Sequence, residues 1–155
     1  MTTERTTAGA SGAATAAAWK LSVRDLMTEQ VIAVQPDTEL TAVRDLLWEH
    51  NIRHLPVVDG DGDLIGLVSQ RDLLRHALID QAHLPDYVEE AVLERLKASD
   101  VMTSHVERVG ADTDLRDAAQ TMFENKYGCL PVTEGDRLIG ILTEADFVRF
   151  LGRGD

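Results

Sequence analysis

The chain has 155 residues, 44% of them hydrophobic and 27% charged, which suits one globular domain or two small halves sharing a core. Its formal charge of -12 at pH 7 repels phosphate backbones and anionic lipid, which argues against nucleic-acid or membrane-surface binding as a primary role. No apolar run reaches membrane-spanning length, there is no signal-type apolar core near the start, and Cys129 is the single cysteine. The expectation is a cytoplasmic protein without an internal disulfide.

Residues 1–18, rich in Thr, Ala and Gly, show no usable period and read as a disordered tail. Trp19 closes the tail and is expected to pack back on the fold. Residues 23–27 read as a turn or a single helical turn, and residues 31–34 as a short strand. Pro36, Asp37 and Thr38 end that strand and open a helix, with Asp37 or Thr38 as its cap. Leu40, Val43, Leu46 and Leu47 fall on one helical face, with Trp48 widening it or at its rim. Residues 55–58 and 64–68 read as strands joined by the acidic turn from Asp59 to Asp63. Ser69 starts a helix through Leu73, Leu74 and Leu78. Residues 79–98 are too long for a bare turn; Pro85 and Asp86 could open a helix bearing Val88, Ala91, Val92 and Leu96.

The design then returns. DLMT at Asp25 reappears as DVMT at Asp100, and Leu55-Pro56-Val57 as Leu130-Pro131-Val132, at an offset of 75. From Leu64 against Leu138 the offset is 74, a one-residue change inside a turn. Residues 106–109 are the second copy's first strand. Thr113 caps a helix bearing Leu115, Ala118, Ala119, Met122 and Phe123. Residues 130–133 and 138–142 form a second hairpin, and Thr143 starts the last helix with Phe147, Val148 and Leu151. Residues 152–155 are a fraying end. The division is a first copy at 19–78, a partly helical connection at 79–98 and a second copy at 99–151. A copy of about 55 residues buries too little surface to stand alone. The expected fold class is α+β: two halves, each a small three-stranded sheet with helices, packed about a pseudo-two-fold axis with a cleft between the sheets.

Two stretches could carry chemistry: GLVSQRD, with Ser69, Arg71 and Asp72, and GILTEAD, with Thr143 and Asp146. A hydroxyl followed three residues later by an acid makes a capping box, which alone accounts for the spacing. The same geometry also suits a ligand: phosphate favours a helix N-terminus, and a carboxylate one turn on can accept both hydroxyls of a ribose. Gly66 and Gly140 allow close approach of a neighbour or ligand. The five histidines make no zinc-ligand set. The acidic turn lacks the distal Glu of a calcium loop and reads as hairpin chemistry. No nucleophile with a base relay is evident, so an enzyme is not expected.

DLMT with DVMT, LPVV with LPVT, and GLVSQRD with GILTEAD resemble the cystathionine-beta-synthase (CBS) domain, in two copies that cover residues 23 to about 151. The resemblance implies a Bateman module that assembles as a homodimer and binds AMP, ADP, ATP, S-adenosylmethionine or a related compound such as NADH in its cleft. It implies Asp72 and Asp146 as ribose acids, Ser69 and Thr143 near phosphate, and Val31, Val34, Val106 and Val109 around the base. The residues before each Leu-Pro would face phosphate: Arg53 and His54 in the first copy, Gly128 and Cys129 in the second. Arg53 offers a planar fork for phosphate and His54 a donor; Gly128 and Cys129 offer neither. One site is therefore expected to bind phosphorylated ligand better, although the sequence does not say which pocket receives Arg53. The leading expectation is a non-catalytic adenosyl-nucleotide sensor acting on a partner protein or on its own assembly, with residues 87–96 and the last helix as contact surfaces. The alternative is an interaction module that has lost nucleotide binding.

Overall fold

A computed structural model describes residues 20–77 and 85–153. The tail at 1–18, Trp19, Leu78 and the last two residues lie outside the described residues. In the first copy, α1 (Val23–Leu26) is one helical turn, and α2 (Leu40–Glu49) buries Leu40, Val43 and Leu47 at helical spacing. Trp48 lies off that stripe and is 69% exposed. The cap is Glu39 rather than Asp37 or Thr38. The Thr38 hydroxyl is used one step earlier, accepting the Gln35 N–H at 3.1 Å to close the preceding turn. β1 (His54–Val58) and β2 (Leu64–Ser69) then pair antiparallel, and α3 (Gln70–Ala77) follows.

The connection holds α4 (Asp86–Arg95), which buries Leu93 in the first core rather than Ala91, and α5 (Ala98–Val101). Arg44 Nη1 donates to Glu90 Oε2 at 2.7 Å, tying α4 to α2. The second copy repeats the pattern with α6 (Leu115–Asn125), β3 (Cys129–Glu134), β4 (Arg137–Thr143) and α7 (Glu144–Gly152). Its first helix is capped by Asp114, not Thr113, and Phe123 is 86% exposed rather than part of the packed face. The antiparallel pairs carry register shifts at equivalent places, between Val57 and Val58 and between Val132 and Thr133.

The third strand of each expected sheet shrinks to one parallel bridge, Val34 to Val57 and Val109 to Val132. Proline is the reason. Val34 N–H donates to Pro56 O and Val58 N–H to Val34 O. One step further the ladder needs an N–H from Pro56, which has none. Pro131 stops the second ladder in the same way.

Each half is completed by a segment that precedes the other half. Val23 N–H donates to Thr113 O and Thr28 pairs with Ile141 in both directions, at 2.9 and 3.0 Å. The mirror set is Ala98 N–H to Thr38 O and Thr103 with Leu67, at 2.9 and 3.0 Å. Val23 therefore belongs to the second core, with Leu115, Met122 and Leu142. Ala98 and Val101 belong to the first, with Leu40, Leu55 and Val68. Gly66 and Gly140 permit this exchange. A Cβ at Gly66 would run into the Met102 Sδ, and one at Gly140 would lie 2.8 Å from the Met27 Sδ. The two hairpin turns also meet: Leu64 N–H donates to Asp136 O at 2.9 Å and Leu138 N–H to Gly62 O at 3.1 Å.

Candidate functional site

The two helix starts are built alike. Asp72 is the third residue of α3, and its Oδ2 accepts the Ser69 N–H at 2.8 Å and the Ser69 hydroxyl at 2.9 Å. Ser69 Oγ accepts the Asp72 N–H at 3.1 Å. Asp146 is the third residue of α7, and its Oδ2 accepts the Thr143 N–H at 2.8 Å and the hydroxyl at 3.1 Å. The capping role is therefore real in both copies. It uses one carboxylate oxygen and leaves the ligand question to the other.

At the first copy, Asp72 Oδ1 bonds to none of the described residues. Arg53 O accepts the Gln70 N–H at 2.9 Å, and His54 pairs with Ser69 across the hairpin. The backbones of Arg53 and His54 therefore lie at the Asp72 helix start. Burial holds the His54 imidazole below the usual histidine value; Asp72 opposes that, Arg53 adds to it, and Glu144 of the other half opposes it too. The His54 ring also reaches across the halves. A Cβ at Gly128 would sit 2.9 Å from its Cε1, so residue 128 has no room for a side chain while His54 keeps this place. Arg71 is exposed on the first turn of α3.

At the second copy, Gly128 O accepts the Glu144 N–H at 3.2 Å, and Cys129 pairs with Thr143. Cys129 is buried, and burial pushes its thiol up to about 12, so this wall carries no charge at neutral pH. The carboxylate differs from its counterpart. Asp146 is 4% exposed, and its Oδ1 accepts from Arg149 Nη1 at 3.2 Å and from the Thr28 hydroxyl at 3.5 Å. Neither Arg149 nor Thr28 was singled out from sequence. The usable signal was the placement of Arg149 one turn after the acid.

The exchanged segments line the clefts. Bridges place Thr28 beside Ile141 of β4 and Val34 beside Val57 of β1, and equivalently Thr103 beside Leu67 of β2 and Val109 beside Val132 of β3, so each segment runs from one half to the other. Val31 lines a cavity of about 210 Å³ with Glu29, Ala33, Arg137 and Ile139. That is below the usual 300–1,000 Å³ of small-molecule sites. Val106 is half-buried at the equivalent place. Val34 and Val109, also expected around the base, sit deeper in the fold. Val34 is buried in the first core, Val109 packs against the second, and their backbone groups are spent on the Pro56–Val58 and Pro131–Thr133 bonds. Among the described residues, no group of three or more His, Cys, Asp or Glu side chains could hold a metal ion, and no helix is long and apolar enough to cross a membrane.

Two hairpin halves with exchanged segments, each carrying a Ser/Thr–Asp helix start, define a tandem repeat of the α+β class. The family model for the CBS domain matches residues 23–79 and 98–153, and the chain belongs to that family as a tandem pair. Modules of this family are typically non-catalytic and regulatory. A CBS domain-containing protein of Dictyostelium discoideum is 33% identical over 136 residues, covering 85% of this chain and 92% of that protein. An uncharacterized protein of Methanocaldococcus jannaschii is 29% identical over 130 residues, but the chain spans only 42% of its length. For the Arabidopsis thaliana chloroplast protein CBSX1 the share is 63%, at 32% identity. Among solved structures, the AcuB protein of Vibrio cholerae superposes with a TM-score of 0.74 at 33% identity, covering 84% of this chain and 90% of that one. CBSX2, solved in complex with AMP, gives 0.73 at 31% identity, covering 85% and 97%.

Proposed function

We propose that this protein is a non-catalytic sensor of adenosine nucleotides, with AMP, ADP or ATP as ligand and S-adenosylmethionine or NADH as further candidates. The observation that carries the reading is the first cleft. Asp72 is held by Ser69 with its Oδ1 unbonded among the described residues, and Arg53 and His54 lie beside it at a helix N-terminus. That set offers an acceptor for a ribose diol, a cation for phosphate and the positive end of a helix. The AMP complex of CBSX2, at 31% identity, supports the same ligand class. Ser69 and Thr143 would sit nearest phosphate, with Val31 and Val106 against the base. Ligand bridging the halves would favour one relative orientation over another. The output would pass to a second copy of the module or to a protein target in the cytoplasm, through α4 or α7. Tyr87, Val148 and Leu151 are exposed on those helices, at 75%, 70% and 65%.

Calorimetric titration with AMP, ADP, ATP, S-adenosylmethionine and NADH, on wild type and on Asp72→Ala and Asp146→Ala, tests this. Binding weakened by Asp72→Ala, with the fold intact by circular dichroism, is the expected result. Absence of heat with every ligand, on protein freed of co-purified nucleotide, would favour a module that works by protein contact alone. The charge of -12 is the observation on that side.

A further inference from the structure

The two halves carry the same residue types around their acids, yet use them differently. Arg149 corresponds to Arg75, and Thr28 to Thr103. In the second half both reach Asp146 Oδ1, at 3.2 and 3.5 Å. In the first half, Arg75 pairs with no described carboxylate and Thr103 makes no bond to Asp72. The reason lies in the walls. A carboxylate side chain that is 3% exposed needs polar partners for both oxygens. Asp72 is only half-buried and stays open to solvent, whereas Asp146 is enclosed beside Gly128 and Cys129, which supply no charge. Arg149 turns in to fill that need.

We propose that Arg149 and Thr28 latch the acid of the second cleft, so that a vicinal diol enters there only after they are displaced, and the two clefts are unequal by design. This rests on the nucleotide reading above and says which cleft fills first. The Asp72 cleft takes a nucleotide directly. The Asp146 cleft fills later, because its carboxylate oxygens are already engaged. Arg149 is thus a positioning residue: it sets the rank of the second site without touching the first.

The test uses the whole chain and two probes, AMP and adenosine, read by calorimetry and by methyl NMR of Ile65 and Ile139, which hold equivalent positions on β2 and β4. Wild type should shift Ile65 at lower ligand concentration than Ile139. Arg149→Gln and Thr28→Val should each tighten the Ile139-reported step, by about two- to fivefold for Arg149→Gln given that the guanidinium is 57% exposed. Arg75→Gln should move neither step, and Asp146→Asn in the Arg149→Gln background should abolish the gain. Two equal steps in wild type, or Arg149→Gln and Thr28→Val titrating as wild type does, would overturn the latch while leaving the sensor reading in place. No binding of either probe to any of these proteins would overturn both.

Discussion

Gly66→Ala tests whether the exchanged segments are packed as described. A Cβ there collides with the Met102 Sδ and lies 2.9 Å from its Cγ and 3.1 Å from its Cβ. Forcing a methyl into such a contact typically costs about 1–3 kcal/mol. Gly66 does not have a positive φ, so Ala is conformationally allowed and recovers about 0.4–1 kcal/mol by restricting the unfolded chain. The net expectation is a loss of roughly 0.5–2 kcal/mol, and a chain of this size loses about 2–4 °C in Tm per kcal/mol. Every obstructing atom belongs to the Met102 side chain, so in a Met102→Ala background the same substitution should become neutral or stabilising. Gly140→Ala should behave differently. Its Cβ also meets the Thr28 carbonyl oxygen at 3.1 Å, and Met27→Ala should rescue it only in part. Urea denaturation of the four single variants and two double variants measures both cycles. A Gly66→Ala cost that is the same with and without Met102 would refute the packing argument.

Asp72→Asn should weaken nucleotide binding and cost about 0.5–2 kcal/mol through the damaged cap; chemical denaturation beside calorimetry separates the two effects. Because the folded state holds the His54 imidazole below its ordinary value, chiefly by burial, the unfolded chain binds this proton more readily. Its contribution is fully present above the ordinary value of about 6.5 and declines as pH falls through that range toward the lower folded value. Urea midpoints at pH 7.5 and 5.5 should therefore differ less in His54→Gln than in wild type. The Cys129 thiol, pushed up to about 12, should react with iodoacetamide at pH 8 roughly a thousandfold more slowly in the folded protein than after unfolding, given an ordinary thiol value near 8.5.

The hairpins and long helices were legible because strand alternation, helical spacing and the repeat register agreed at each step. Leu40, Val43 and Leu47 were packed as the period requires. The helix caps slipped by one residue because Thr38 found a nearer backbone partner. The third strands were over-read because apolar residues at 31–34 and 106–109 look like strands, while the limit on pairing sits in distant prolines. The Ser69–Asp72 and Thr143–Asp146 boxes were legible, since both partners lie within one turn. The links from Thr28 and Arg149 to Asp146 were not: one spans 118 positions, and the other is a choice among rotamers that Arg75 makes differently. The His54–Gly128 contact was hidden too, although it gives the missing side chain at 128 a steric meaning.

The exchange of segments between the halves bears on how the chain reaches its native state. A fragment ending at residue 77 would hold α1 with no β4 to receive it, and a first core without Ala98 and Val101. A fragment starting at residue 97 would lack Val23. Neither has a complete interior, so unfolding should be a single transition, with no intermediate in which one half survives alone. Bonds such as Thr28 to Ile141 also give the fold a high contact order, since nearly the whole chain must be made before the second half can close. Folding should accordingly be slow for a protein of this size, with late closure at the point where the N-terminal turn meets the C-terminal hairpin.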